Sequence, residues 1–171
     1  MTQPFKGKPP RLTQVFQRDI QPVYFVTFCT LHRRRALAND PVHYAFLAYA
    51  EAGGTKANVA VGRYVIMPDH VHLFVQSDDG FELGIWIRGL KRFIDRGVGA
   101  AVHGGISPAL GTPRPTSPKL WQPGFFDHLL RSSESYEQKW RYVRENPVRA
   151  GLVARAEDWP YQGEVVPIDR V

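Results

Sequence analysis

The segment Tyr64-Val-Ile-Met-Pro-Asp-His70-Val-His72-Leu-Phe-Val-Gln76 constrains the fold of this chain more than any other. Two runs rich in β-branched and aromatic residues, Ala57 to Ile66 and His70 to Gln76, are separated only by Met67-Pro68-Asp69. They therefore read as neighbouring strands joined by a tight connection. Side chains alternate across a strand, so Val71, Leu73 and Val75 belong to one face and His70 and His72 to the other. The apolar set must be covered by something, which makes this pair the centre of a layered α+β fold.

The rest of the chain supplies the layers. Val23 to Thr30 (VYFVTFCT) has strand composition. Asp40 followed by Pro41 opens a helix, with Asp40 as the capping side chain and Pro41 at the first helical position. Gly53 and Gly54 are expected to stop it. Leu83, Trp86, Ile87, Leu90, Phe93 and Ile94 recur at helical spacing on one face, with Arg88, Lys91, Arg92, Asp95 and Arg96 opposite. A Gly/Pro-rich stretch from Gly97 to Pro118 reads as a mobile loop. A further strand is centred on Phe125-Phe126-Asp127-His128-Leu129-Leu130. Ser132 or Ser133 then caps a last helix expected to finish near Asn146, because Pro147 follows. Residues 148–171 read as a short tail packed by Trp159 and Tyr161.

The order is β-α-β-β-α-β-α, and its first six elements match the ferredoxin-like, split βαβ arrangement. Two helices should cover one face of an antiparallel sheet and leave the other available. Residues 1–19 carry Lys6, Lys8, Arg11 and Arg18 among prolines and read as a flexible basic arm. Residues 20–171 form one domain.

Composition narrows the partners. The net charge of +6 favours an anionic partner, nucleic acid first. No apolar run approaches the roughly 20 residues that cross a bilayer. Met1 to Arg11 lacks an apolar signal core, so a cytoplasmic location is expected. Cys29 is the single cysteine, which excludes an internal disulfide and a multi-cysteine zinc site.

Two imidazoles one residue apart on a strand can hold a divalent ion, although two ordinary surface histidines would show the same pattern. On the last helix Tyr136, Trp140 and Val143 form a packing stripe. Tyr142 and Asn146, four residues apart, share a different face, about a third of a turn away. Asn146 can offer an amide oxygen as a third hard ligand and Tyr142 a nucleophilic hydroxyl; a half-buried tyrosine at the core edge is the plainer alternative. His32 with Arg33, Arg34 and Arg35 suits phosphate contact or a solvated basic turn. Arg149 lies close enough in sequence to Asn146 to touch a bound strand. His128 reads as structural ahead of supporting the site from a neighbouring strand, Trp121 as a packing anchor ahead of a stack for an unpaired base, and Asp69 as a turn residue in preference to an orienting carboxylate for a neighbouring imidazole.

Three segments, MPDHVHLFV, WQPGFFDHLLR and YVRENPVRAGLV, together resemble the HUH-type transposases that use one tyrosine, above all their REP-associated branch. The resemblance covers roughly residues 22 to 162. It implies an HUH nuclease domain with His70, His72 and Asn146 as metal ligands, Mg²⁺ or Mn²⁺ as the ion, and Tyr142 on a C-terminal helix as nucleophile. It also implies cleavage and rejoining of single-stranded DNA beside a hairpin through a 5′-phosphotyrosine ester, by a monomer, although related insertion-sequence enzymes are swapped dimers. A non-catalytic single-strand-binding module on the same fold is the rival from another class.

Overall fold

The computed structural model describes residues 21–56, 58–78, 80–102, 119–130 and 133–168. The expected basic arm and most of the Gly/Pro-rich stretch lie outside them. Strands β1 (Val23–Cys29), β2 (Val59–Ile66), β3 (His70–Ser77), β4 (Phe126–Leu130) and β5 (Gln162–Glu164) form one antiparallel sheet in the order β4-β1-β3-β2-β5. With helices α1 (Asp40–Lys56) and α2 (Leu83–Val102), the first four strands have the expected ferredoxin-like topology. Helix α3 (Ser133–Arg144) and the short α4 (Asn146–Arg149) follow.

The alternation in β3 sorts the two faces as expected. Val71, Leu73 and Val75 are fully buried with Val26, Phe28, Tyr64 and Ile66, under Phe46 of α1 and Trp86, Ile87, Leu90 and Ile94 of α2. Burying side chains of this size contributes about 1.5–3 kcal/mol each, so this layer dominates the stability. The opposite face is not left open. Phe25, Val65, Phe74 and Leu130 form a second core with Tyr136 and Val143 of α3 and with Trp159 and Ile168 from the C-terminal segment. The sheet is thus covered on both sides, fully by α1 and α2 and partly by α3.

Several boundaries differ from the sequence reading, each for a local reason. Asn39, not Asp40, caps α1: its Oδ1 accepts from the Val42 amide at 3.1 Å, which leaves Asp40 as the first helical residue. α1 continues past Gly53 to Lys56, and α2 continues past Gly97 to Val102. Pro147 does not end the helical region but sits at the start of α4, where its missing N–H costs nothing. The tail adds β5 to the edge of β2, a strand too short to show alternation. Trp159 is buried as expected and donates to the Ile66 carbonyl at 3.0 Å. Among the described residues, no helix is long and apolar enough to cross a membrane.

Candidate active site

Cross-strand register places the histidines. In an antiparallel pair directly opposed residues share a face, and β1 and β3 oppose Phe25 to Phe74, Thr27 to His72 and Cys29 to His70. His70 and His72 therefore project on the α3 side of the sheet, their rings 4.7 Å apart and nearly perpendicular. His72 stacks on Phe25, with centroids 5.5 Å apart.

Each imidazole is held through Nδ1. Thr27 Oγ1 lies 2.8 Å from His72 Nδ1. Asp69 Oδ1 lies 2.6 Å from His70 Nδ1 and, as a carboxylate, accepts a hydrogen bond from it. Asp69 thus both makes the turn, its carbonyl accepting from the Thr30 amide, and orients His70. A proton on Nδ1 leaves the Nε2 lone pair of each ring for another partner. Burial pushes the His72 pKa down to about 3, aided by the charges of His70, Arg33 and Arg149. Burial also lowers His70, opposed by Asp69 and assisted by Arg33. For Asp69 burial acts upward, but the His70 hydrogen bond and the charges of His70 and Arg33 prevail and hold the carboxyl below its usual range. Both rings are accordingly neutral near pH 7, the state a divalent ion requires.

Arg33 belongs to this site. His32 and Arg33 have positive φ angles of 54° and 55°, which fold the chain back after β1. The Arg33 Nε then bonds Asp69 Oδ2 at 2.8 Å and its Nη1 meets Cys29 Sγ at 2.9 Å. Arg34 and Arg35 are exposed, and Arg34 acts electrostatically on Asp95 of α2, away from the histidines.

The tyrosine comes from α3, and packing fixes that helix. Tyr136 is 1 % exposed with its ring 4.3 Å from Phe74, and its hydroxyl accepts from the Arg63 amide at 3.3 Å. The Arg63 guanidinium lies over Tyr136 and Trp140, 5.5 Å from each, and pairs with Glu137 at 3.0 Å. With Tyr136 and Val143 inward, Tyr142 points out and is 63 % exposed. Arg149 lies over its ring at 4.2 Å and donates both to the Tyr142 carbonyl and to Asn146 Oδ1. The charge of Arg149 is felt at His72. Arg149 therefore touches Tyr142 and Asn146 directly and reaches His72 only through its charge.

Among the described residues, no three His, Cys, Asp or Glu side chains gather as a metal cluster. The donors that the sequence reading nominated are two imidazole nitrogens, of the kind transition metals take, and the amide oxygen of Asn146, of the kind Mg²⁺ and Mn²⁺ take. His128 is exposed on β4, opposite Phe25 and outside this set. Arg88, Arg92 and Arg96 are exposed on α2, whose core residues pack on the other face of the sheet. Thr27 was missed in the sequence. Its signal is a lone hydroxyl at an alternating position of an otherwise apolar strand, on the face shared with Phe25.

Comparison with known proteins bears on the family and the fold. The family described as "Transposase IS200 like" matches residues 21–146. A REP-associated tyrosine transposase of Escherichia coli (strain K12) is 27 % identical over 104 residues, 59 % of this chain and 52 % of the relative. A putative REP-associated tyrosine transposase of Haemophilus influenzae is 27 % identical over 142 residues, 81 % of this chain and 77 % of the relative. The chain thus spans about half of the first relative and three quarters of the second. A solved REP-associated tyrosine transposase bound to a REP hairpin superposes with a TM-score of 0.62 at 21 % identity, covering 87 % of this chain and 81 % of that one. At that identity the likeness speaks for the fold.

Proposed function

Because this chain belongs to the IS200-like transposase family, we propose that it is a metal-dependent single-stranded DNA endonuclease and strand transferase with Tyr142 as nucleophile. The observation that carries the reading is an exposed tyrosine bound to Arg149, which also holds Asn146 and acts electrostatically on His72. A tyrosine that merely edged the core would be covered by it.

His70 and His72, through Nε2, and Asn146, through Oδ1, would hold the ion. When bound there, Mg²⁺ or Mn²⁺ would polarise a phosphoryl oxygen and stabilise the charge that develops on it. Tyr142 Oη attacks phosphorus in line, forming an O–P bond to the 5′ side. The P–O3′ bond breaks; the phenol releases its proton to solvent as Oη bonds phosphorus, and the departing O3′ takes one up to become a free 3′-hydroxyl. The phosphotyrosine ester conserves the bond, so a second 3′-hydroxyl can displace the tyrosine and rejoin a strand without another energy source. Asp69 and Thr27 keep the imidazoles oriented, while Arg149 is placed to meet a non-bridging phosphate oxygen. Hairpin-bearing DNA is the proposed substrate, by analogy with the solved relative.

The test is incubation with labelled single strands from the neighbouring genomic sequence, with and without Mn²⁺, read on a denaturing protein gel. A metal-dependent labelled adduct that vanishes in Tyr142→Phe is expected, with DNA binding retained. An adduct that persists in Tyr142→Phe, or binding without any adduct, overturns the reading in favour of a binding module.

A further inference from the structure

The described part of the sheet ends at β4, and that strand turns two bare rings toward the candidate site. Register opposes Phe126 to Thr27 and His128 to Phe25. Both pairs therefore lie on the face that carries His72, whose own partners across β1 and β3 are Thr27 and the stacked Phe25. The intervening residue Asp127 opposes Val26 of the other core, and Phe125 packs against that core too. Leu130, in the core with Tyr136 and Val143 of α3, is 9 % exposed, whereas Phe126 is 59 % exposed. One exposed ring is ordinary in itself; what points to an occupant is that Phe126 shares its sheet face with His72 and with the Phe25 ring under Lys139.

Position and charge select one. Phe126 is two strand spacings from His72, about 10 Å, and Phe126 and His128 are two residues apart along β4, about 7 Å. Lys139 of α3 extends its ammonium over the Phe25 ring, 5.4 Å from the centroid, beside the cross-strand partner of His128. At the His70 end of the same face the Arg33 guanidinium, paired with Asp69, adds a second positive charge. Flat apolar faces flanked by cations match unpaired nucleotides, whose bases stack while their phosphates meet the charges.

The geometry points to β4 as a stacking strip for unpaired bases next to the scissile phosphate, with Phe126 as its principal platform, His128 as the next step and Lys139 as a phosphate contact. The inference rests on the single-strand reading above and adds where the strand lies. It predicts a preference for an unpaired flank over duplex beside the cleaved bond, without a base-specific code, because every base offers a π-face.

The experiment titrates the full chain in EDTA, so that no cleavage intervenes, with oligo(dT) and with a duplex of the same length. Phe126→Ala is expected to weaken oligo(dT) binding about 5- to 100-fold, the range found for removing one base–aromatic stack, and to leave duplex binding unchanged. Phe126→Trp is expected to bind oligo(dT) as the parent does, with its added indole quenched on binding. Lys139→Gln should lower the salt dependence of binding by about one ion. Phe126 is exposed, so these variants keep the core intact. Unchanged oligo(dT) affinity in Phe126→Ala, equal losses for single strand and duplex, or an unquenched indole would each overturn the strip. Self-association of the parent chain that disappears in Phe126→Ala at constant DNA affinity would overturn it too, and assign the patch to a second copy. The two readings fail separately. A metal-dependent Tyr142 adduct with Phe126-independent binding sinks the strip alone, and Phe126-dependent binding without any adduct sinks the nuclease alone.

Discussion

Arg149 covers the ring of Tyr142, its guanidinium carbon 4.2 Å from the centroid, and the same guanidinium donates to Asn146 Oδ1. One cation thus engages both the proposed nucleophile and the proposed third metal ligand. Asn146 Oδ1 already accepts from Arg149, and the positive charge of that guanidinium beside it would oppose the loading of an ion. A phosphate in the site offers it a better partner.

Arg149→Ala should therefore separate metal binding from chemistry. Removing a positive charge and freeing Asn146 should tighten Mn²⁺ binding about 5- to 10-fold, the scale of one charge a few ångströms away in a protein environment. Adduct formation should nevertheless slow by about 10- to 1,000-fold, as expected when one donor to the developing phosphate charge is lost. Electron spin resonance titration of Mn²⁺ and the rate of labelled adduct measure the two effects. Parallel losses in both would mean that Arg149 only holds the local fold.

The imidazole supports make a second prediction. Thr27 Oγ1 is 2.8 Å from His72 Nδ1, and Asp69 Oδ1 is 2.6 Å from His70 Nδ1. Thr27→Val keeps the shape and removes the hydrogen bond, and Asp69→Asn keeps the turn while removing the charge. Each should weaken Mn²⁺ binding about 10- to 100-fold, the usual effect of losing a partner of a metal-binding histidine. Asp69→Asn should also free Arg33 from its 2.8 Å ion pair and raise its mobility. Wild-type Mn²⁺ affinity in both variants would argue that the histidines do not hold the ion.

The sheet core and the histidine face were legible in the sequence because both follow from period-2 alternation, which survives without tertiary information. The α3 stripe was legible for the same reason at helical period, and Tyr142 emerged as the residue left off that stripe. Lys91 was not. It sits on the polar side of α2 by spacing, yet it is 8 % exposed because carbonyls from residues 122 and 124 close over its ammonium. Such contacts between distant segments leave no trace in local pattern. The covered second face is another case: it depends on Trp159 and Ile168, whose segment carries no periodicity, and on β5, which is three residues long. The Arg33 fold-back needs two consecutive non-glycine residues at positive φ, which sequence alone would disfavour.

Gly62 tests how α3 is set. A Cβ there would lie 2.6 Å from Ile168 Cδ1 and 2.9 Å from Tyr136 Oη, and the β2–β3 register shifts between Val61 and Tyr64. The sheet must therefore be bare at this position for α3 and the C-terminal segment to approach. Gly62→Ala should cost about 1–3 kcal/mol in denaturant unfolding, the usual penalty of overpacking. Because α3 carries Tyr142, the folded fraction should also form adduct more slowly while binding DNA normally. Unchanged stability would mean that α3 can shift without loss.

Lys91 makes the last prediction, about the segment from Leu120 to Gly124. Its Nζ donates to the Gln122 carbonyl at 3.1 Å and to the Gly124 carbonyl at 2.6 Å, over the rings of Phe28 and Trp121. Trp121 in turn donates to the Lys91 carbonyl at 3.1 Å. This clasp ties Leu120 to Gly124 onto α2, and the same segment extends the sheet past β1, with Leu31 donating to Leu120 and Gln122 to Cys29. Lys91→Met keeps the apolar stem and removes the ammonium, which strips two carbonyls of a charged donor. The cost should be about 1–3 kcal/mol, and exchange of the Leu31 and Gln122 amides should accelerate before that of β3. Mn²⁺ affinity should hold, because His70 and His72 stand on β3 and take their supports from Thr27 and Asp69. Loss of Mn²⁺ binding together with the faster exchange would show that the clasp reaches further, fixing the histidines through the end of β1.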